Sequence, residues 1–142
     1  MIVPMLLLAS ILSQAPSPSP SVASGVAAAD ERFVRDLHDK NIDDVLTLYT
    51  ADAVFVNPDG HEIPASGLRK LYEQVTAALD SDLHLSTVRI KRHGRTAVET
   101  GTYTETLGHR DTGKIDNIQG TFRFTFRREQ DGRWRYTRME WH

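Results

Sequence analysis

The sequence predicts an α+β domain with helices first and an antiparallel sheet after, and three observations carry that prediction. Before Asp82, apolar residues recur at three- and four-residue steps, the period of a helix with one buried face. From Asp82 onward four β-rich runs follow one another instead. The gaps between them hold Gly94, Asp111-Thr112-Gly113 and Asp131-Gly132, turn signals short enough that neighbouring strands pair as an antiparallel meander. Helices followed by strands pack together on one face of the sheet.

The elements read as follows. No charged residue occurs before Asp30. Ile2 to Leu12 is an apolar run of signal-peptide length, and Ser13-Gln14-Ala15 offers the small residues a signal peptidase needs, with Ser21-Val22-Ala23 as a second candidate. Residues 1–15 are therefore expected to be a signal peptide and the protein to be exported, periplasmic or secreted. Residues 16–26, opening with alternating Pro and Ser, read as an extended linker, and 27–142 as the folded domain. Phe33, Val34 and Leu37 mark a first helix between Ala27 and Lys40. Asn41 is placed to cap a second, with Asp43 and Asp44 in its first turn and Ile42, Val45, Leu46 and Tyr49 along one face. Ala53 to Asn57 is a short strand, Pro58-Asp59-Gly60 a turn, and His61-Glu62-Ile63 a return strand. Ser66 is placed to cap a third helix with the face Leu68, Leu71, Tyr72, Val75 and Leu79. The long strands are Leu83 to Arg92, Thr96 to Leu107, Ile118 to Arg128 and Arg133 to Trp141.

Composition narrows the function classes. At 142 residues and 39% hydrophobic the chain suits one domain with one core. A net charge of −2 gives no general pull toward nucleic acid or an anionic surface. Without cysteine there is no disulfide, thiolate chemistry or Cys-ligated metal. The six histidines show no pair at metal-ligand spacing, and neither a Gly-rich phosphate loop nor a nucleophile elbow occurs, so no cofactor or metal is expected. Six arginines from Arg123 to Arg138 crowd the last two strands; with Glu129, Asp131 and Glu140 among them they read as a cross-paired, solvated face, an anion-binding patch being the sharper alternative.

From about Ala27 to the C-terminus the chain resembles the nuclear-transport-factor-2-like superfamily, the cone fold of ketosteroid isomerase and SnoaL-like cyclases. The residues that carry this are Asn41-Ile42-Asp43-Asp44, Leu48-Tyr49, Asp52-Ala53, Asn57-Pro58-Asp59-Gly60, Gly67 and Asp131-Gly132-Arg133-Trp134. The resemblance implies three helices packed in a curved, mostly antiparallel sheet, and a homodimer joined through the outer sheet face. It also implies where ketosteroid-isomerase chemistry would reside. The base position before the turn proline is Asn57, the oxyanion tyrosine falls at Phe33, and the carboxylic acid of the penultimate strand falls at Phe124. An amide is no base near neutral pH, so that mechanism is not expected.

Strand alternation groups the residues expected to face the cavity: Phe55 and Asn57; His84, Ser86 and Val88; Val98, Thr100, Thr102 and Thr104; Phe122, Phe124 and Phe126; Thr137, Met139 and Trp141. With Phe33 and Tyr72 from the helices they describe an aromatic pocket dotted with hydroxyls for a small hydrophobic molecule. The opposite register, set by one slip or bulge, brings Glu99, Arg138 and Glu140 inside. Binding is the first reading. The alternative is an isomerase, dehydratase or cyclase that uses His84 with Asn57; a structural dimer with a filled cavity is the third.

Overall fold

The computed structural model describes residues 21–142; the signal peptide read at 1–15 and residues 16–20 lie outside them. Helix α1 spans Val22–His38. It starts earlier than expected, because Ser21 accepts a hydrogen bond from the Ser24 backbone N–H at 3.2 Å and Val26, Ala29, Phe33 and Leu37 extend one buried stripe. Val22 to Val26, read above as linker, are thus helix, and Val26 is fully buried. The helix ends in a Schellman pair: Lys40, in the left-handed region at φ 59°, donates to Leu37 O, and Asn41 donates to Asp36 O.

Helix α2 is only Ile42–Leu46. Asn41 does not cap its backbone; its amide bonds the Asp44 carboxylate at 2.6 Å. The helix stops before Tyr49 because Thr47 and Leu48 donate back three residues, to Asp44 O and Val45 O, and the Thr47 hydroxyl also bonds Asp44 O. Strand β1, Tyr49–Val56, follows, then β2, Glu62–Pro64, and helix α3, Ala65–Ala78. Pro64, not Ser66, occupies the N-cap of α3, and Leu79 already belongs to the next strand. Four long strands complete the chain: β3 Leu79–His93, β4 Thr96–His109, β5 Ile115–Arg128 and β6 Trp134–Trp141.

The six strands form one curved, unclosed sheet in the order β2-β1-β6-β5-β4-β3. Every neighbouring pair is antiparallel except β1 and β6, which run parallel. The α+β cone arrangement expected from the sequence is present. Its core is the concave face, where Phe33 of α1 meets Tyr136 edge-on at 5.7 Å and Phe124 meets both Tyr136 and Trp141 edge-on.

Two bulges set which residues face that core. Val88 is the extra residue in β3, between the pairs Thr87–Gly101 and Arg89–Thr100, and Thr137 is the extra residue in β6. The inward residues are Ser81, Leu83 and Leu85 on β3; Ala97, Glu99, Gly101 and Tyr103 on β4; Phe122, Phe124 and Phe126 on β5; and Trp134, Tyr136, Met139 and Trp141 on β6. The expected faces of β3 and β4 are therefore reversed: His84, Ser86, Val88, Thr102 and Thr104 are exposed, and Val98 and Thr100 are only partly covered. On β6 the bulge puts Thr137 outside while leaving Met139 and Trp141 inside. Arg138 and Glu140 are not core residues.

Gly101 shows how tightly the sheet bends. A Cβ there would stand 2.2 Å from Ser86 O and 2.6 Å from Phe122 Cζ, beside the β3 bulge. Gly101→Ala is expected to destabilise the domain by about 2–3 kcal/mol, because the nearest obstacle is backbone. A urea unfolding midpoint unchanged from wild type would contradict this.

Candidate functional site

Between α1, the end of β1, α3 and the long strands lies a cavity of about 260 Å³. Phe33 and Leu37 of α1, Leu71, Tyr72 and Val75 of α3, and Leu83 of β3 supply apolar wall. Phe55 and Trp141 come from β1 and β6, and Tyr103 and Ile118 from β4 and β5. Two polar side chains join them: Asn57, presented where β1 runs into the Pro58-Asp59-Gly60 turn, and Glu105 on β4. The turn is held by Asn57 N donating to His61 O and Gly60 N donating to Asn57 O, at 2.9 and 2.8 Å, with Gly60 at φ 86°. Asn57 therefore has a fixed backbone at the cavity edge.

Leu83, Tyr103, Glu105 and Ile118 line the cavity from strands without being among the expected pocket residues, and Glu105 is the charged one. It continues the alternation Glu99, Gly101, Tyr103, so the reversed β4 register carries it inward. Burial raises its carboxyl pKa above the usual range, and a hydrogen bond from the Ser81 hydroxyl at 2.5 Å opposes that shift. The Tyr72 phenol is also pushed up, first by burial, with the Glu105 charge adding to it and the Tyr49 hydrogen bond opposing it. Tyr49 and Tyr72 bond each other through their hydroxyls, and the Tyr49 hydroxyl also reaches Met139 Sδ at 3.2 Å. The Trp141 indole N–H has no hydrogen-bond partner among the described residues.

The other expected site residues lie elsewhere. Phe122 and Phe124 are core, stacked at 4.2 Å beneath the sheet, and do not border the cavity. Thr100, Thr102 and Thr137 belong to the outer face. His84 is 71% exposed at its side chain and faces Asp82 at 3.3 Å, over a groove between α1 and β3. It cannot reach a ligand beside Asn57, which removes the pairing of His84 with Asn57 as chemistry. Among the described residues no group of three His, Asp or Glu side chains is arranged to hold a metal. No described helix is long and apolar enough to cross a membrane.

A second polar cluster lies inside the core. The Tyr136 hydroxyl donates to Asp30 Oδ1 at 2.6 Å, and the Thr87 hydroxyl donates to Glu99 Oε2 at 2.6 Å. Glu99 is fully buried, and its Oε1 has no hydrogen-bond partner among the described residues. The Asp30 pKa is raised to about 9, first by burial, then by the hydrogen bond and charge of Glu99, with the Tyr136 bond opposing. Burial beside a second carboxyl thus favours the neutral form of Asp30.

The sequence matches the SnoaL-like domain family over residues 31–137. The chain belongs to that family. No protein of curated function matches it. Among solved structures, a protein of Novosphingobium aromaticivorans assigned by name to the scytalone dehydratases superposes with a TM-score of 0.78 at 13% identity, over 84% of this chain and 82% of that one. A ketosteroid isomerase-like protein of Erwinia carotovora atroseptica gives 0.72 at 19% identity, over 82% and 91%. An NTF2-like superfamily protein of Salmonella enterica serovar Typhimurium gives 0.73 at 18%, over 82% and 87%. At these identities the likeness is one of fold.

The SnoaL-like domain is expected to lose stability as pH rises. A carboxyl whose folded pKa lies above its unfolded value stabilises fully below the unfolded value, near 3.8, and loses that contribution on the way to about 9. Unfolding free energy should therefore fall between pH 5 and 9, as pH-resolved denaturation would measure. Asp30→Asn, which keeps a neutral donor and acceptor, should flatten the slope; an equal slope in both proteins would refute the neutral Asp30.

Proposed function

We propose that this SnoaL-like domain binds a small, mostly apolar organic molecule in the cavity between α1, α3 and the sheet, and that Asn57 and Glu105 address its polar end. The observation that carries this reading is the wall itself: aromatic and aliphatic side chains throughout, with one amide and one carboxyl converging on it. A cavity of about 150 Å³ accommodates benzene, so 260 Å³ suits a molecule of one to two rings. Asn57 offers both a donor and an acceptor at a fixed position, and the Glu105 carboxyl offers a second polar partner in apolar surroundings, where hydrogen bonds are strongest.

Trp141 sits in the wall and reports occupancy. 1-Naphthol and related one- and two-ring alcohols and ketones should quench tryptophan fluorescence saturably. Asn57→Ala and Glu105→Gln should each weaken binding about five- to tenfold, the worth of one hydrogen bond in a buried site. A panel that leaves the fluorescence unchanged, or binding indifferent to both substitutions, counts against the proposal.

A second reading is favoured by one observation, the elevated carboxyl of Glu105 inside an apolar chamber. Burial raises the pKa of this carboxyl, which makes it a better proton acceptor than an exposed one, and isomerisation and dehydration both require proton transfer. Isomerase- and dehydratase-type relatives of the same fold are consistent with it. In this reading Glu105 is the proton-transfer group and Asn57 the donor to a developing oxyanion. Exchange of ketone α-protons for deuterium, catalysed by the wild type and abolished in Glu105→Gln while binding persists, would separate it from simple binding.

A further inference from the structure

The turn between β5 and β6 packs against α1 and the α2–β1 junction around a second hollow of about 280 Å³, which shares no residue with the cavity above. Small residues of α1, Gly25, Ala28 and Ala29, make one wall, and Trp134 makes another. A Cβ at Gly25 would stand 2.6 Å from Trp134 Cδ1, so glycine lets the helix and the indole meet there. Four guanidinium groups border the hollow, those of Arg32, Arg128, Arg133 and Arg135, and no carboxylate does.

These cations differ in how they are spent. Arg135 forks onto Asp131 at 3.0 and 2.7 Å and donates through Nε to Thr47 O at 3.1 Å. Two of the three hairpin arginines that point elsewhere are matched too, Arg127 with Asp52 and Glu129, Arg138 with Glu62 and Glu140, while Arg123 is unpaired among the described residues. Arg32, Arg128 and Arg133 make no ion pair and no side-chain hydrogen bond among the described residues. A merely solvated strand face would leave unmatched charges scattered; here three of them border one concavity, and the nearby acids Asp131 and Glu129 are already engaged.

We propose that this hollow is a binding site for a small organic phosphate. Three guanidinium forks need at least three acceptor oxygens in a non-planar arrangement, which a phosphoryl group supplies and a carboxylate, with two coplanar oxygens, does not. Arg32, Arg128 and Arg133 hold the phosphoryl oxygens, and the organic part lies on Ala28, Ala29 and the part of Trp134 that borders the hollow, the ring itself carrying Arg92 at 5.6 Å. The half-exposed position keeps the site open to a ligand from solution.

Titration calorimetry with phenyl phosphate, inorganic phosphate, benzoate and phenol, at an ionic strength of about 0.15 M, tests it. Phenyl phosphate should bind a single site more tightly than inorganic phosphate and at least about tenfold more tightly than benzoate. Arg128→Ala and Arg133→Ala should each weaken phenyl phosphate about tenfold or more. Arg123→Ala, an unpaired arginine outside the hollow, should bind as wild type. Absence of heat with phenyl phosphate, benzoate binding equally well, or an equal loss in Arg123→Ala would each overturn the proposal, the last two by showing a general response to charge.

Discussion

The buried pair of Asp30 on α1 and Glu99 on β4 lies where the helical layer meets the sheet. Two carboxyls at the centre of a small core repel as charges, and burial favours the neutral form of Asp30. The Tyr136 hydroxyl from β6 donates to Asp30 and the Thr87 hydroxyl from β3 donates to Glu99. The arrangement needs Glu99 on the inner face of β4. Since side chains alternate, that single requirement also puts Ala97, Gly101, Tyr103 and Glu105 inside.

The cavity inherits its chemistry from this register. Had β4 been turned over, Thr100, Thr102 and Thr104 would have lined it with hydroxyls; instead it holds Tyr103 and one carboxyl, Glu105, at its far end. The bulge at Val88 then lets β3 follow the bend that Gly101 permits, bringing Leu83 into the wall and sending His84 to solvent. A family scaffold whose familiar base position carries Asn57 thus still presents a carboxyl to its cavity, from another strand.

Charge outside the core is distributed by the same logic of matching. Arg127, Arg135 and Arg138 each face a carboxylate within ion-pair distance, which tethers β1, the β5–β6 turn and β2 to the sheet. Exposed pairs of this kind add little stability individually. Their consequence is selective: with the acids occupied, the unmatched cations at the helix-side end of the hairpin stand out as a distinct electrostatic surface.

The sequence by itself determined the α+β class, the order of elements, the turns at Gly60, Gly94, Gly113 and Gly132, and the place of Phe55, Asn57, Tyr72 and Trp141 around one cavity. These follow from local period and from glycines at positive φ, both properties of neighbouring residues. Tertiary structure alone decided the rest. Whether β4 turns Glu99 or Thr100 inward is degenerate in a strand that alternates threonine with glutamate, glycine and tyrosine, and packing against residues far away in the chain, such as Asp30 and Phe122, decides it. The extra residues at Val88 and Thr137 are likewise invisible locally, because a bulge is the answer of one strand to the length and curvature of its neighbour. His84 and Glu105 exchanged roles for that reason: their positions relative to the cavity depend on pairing across the sheet, which the sequence of a single strand does not encode.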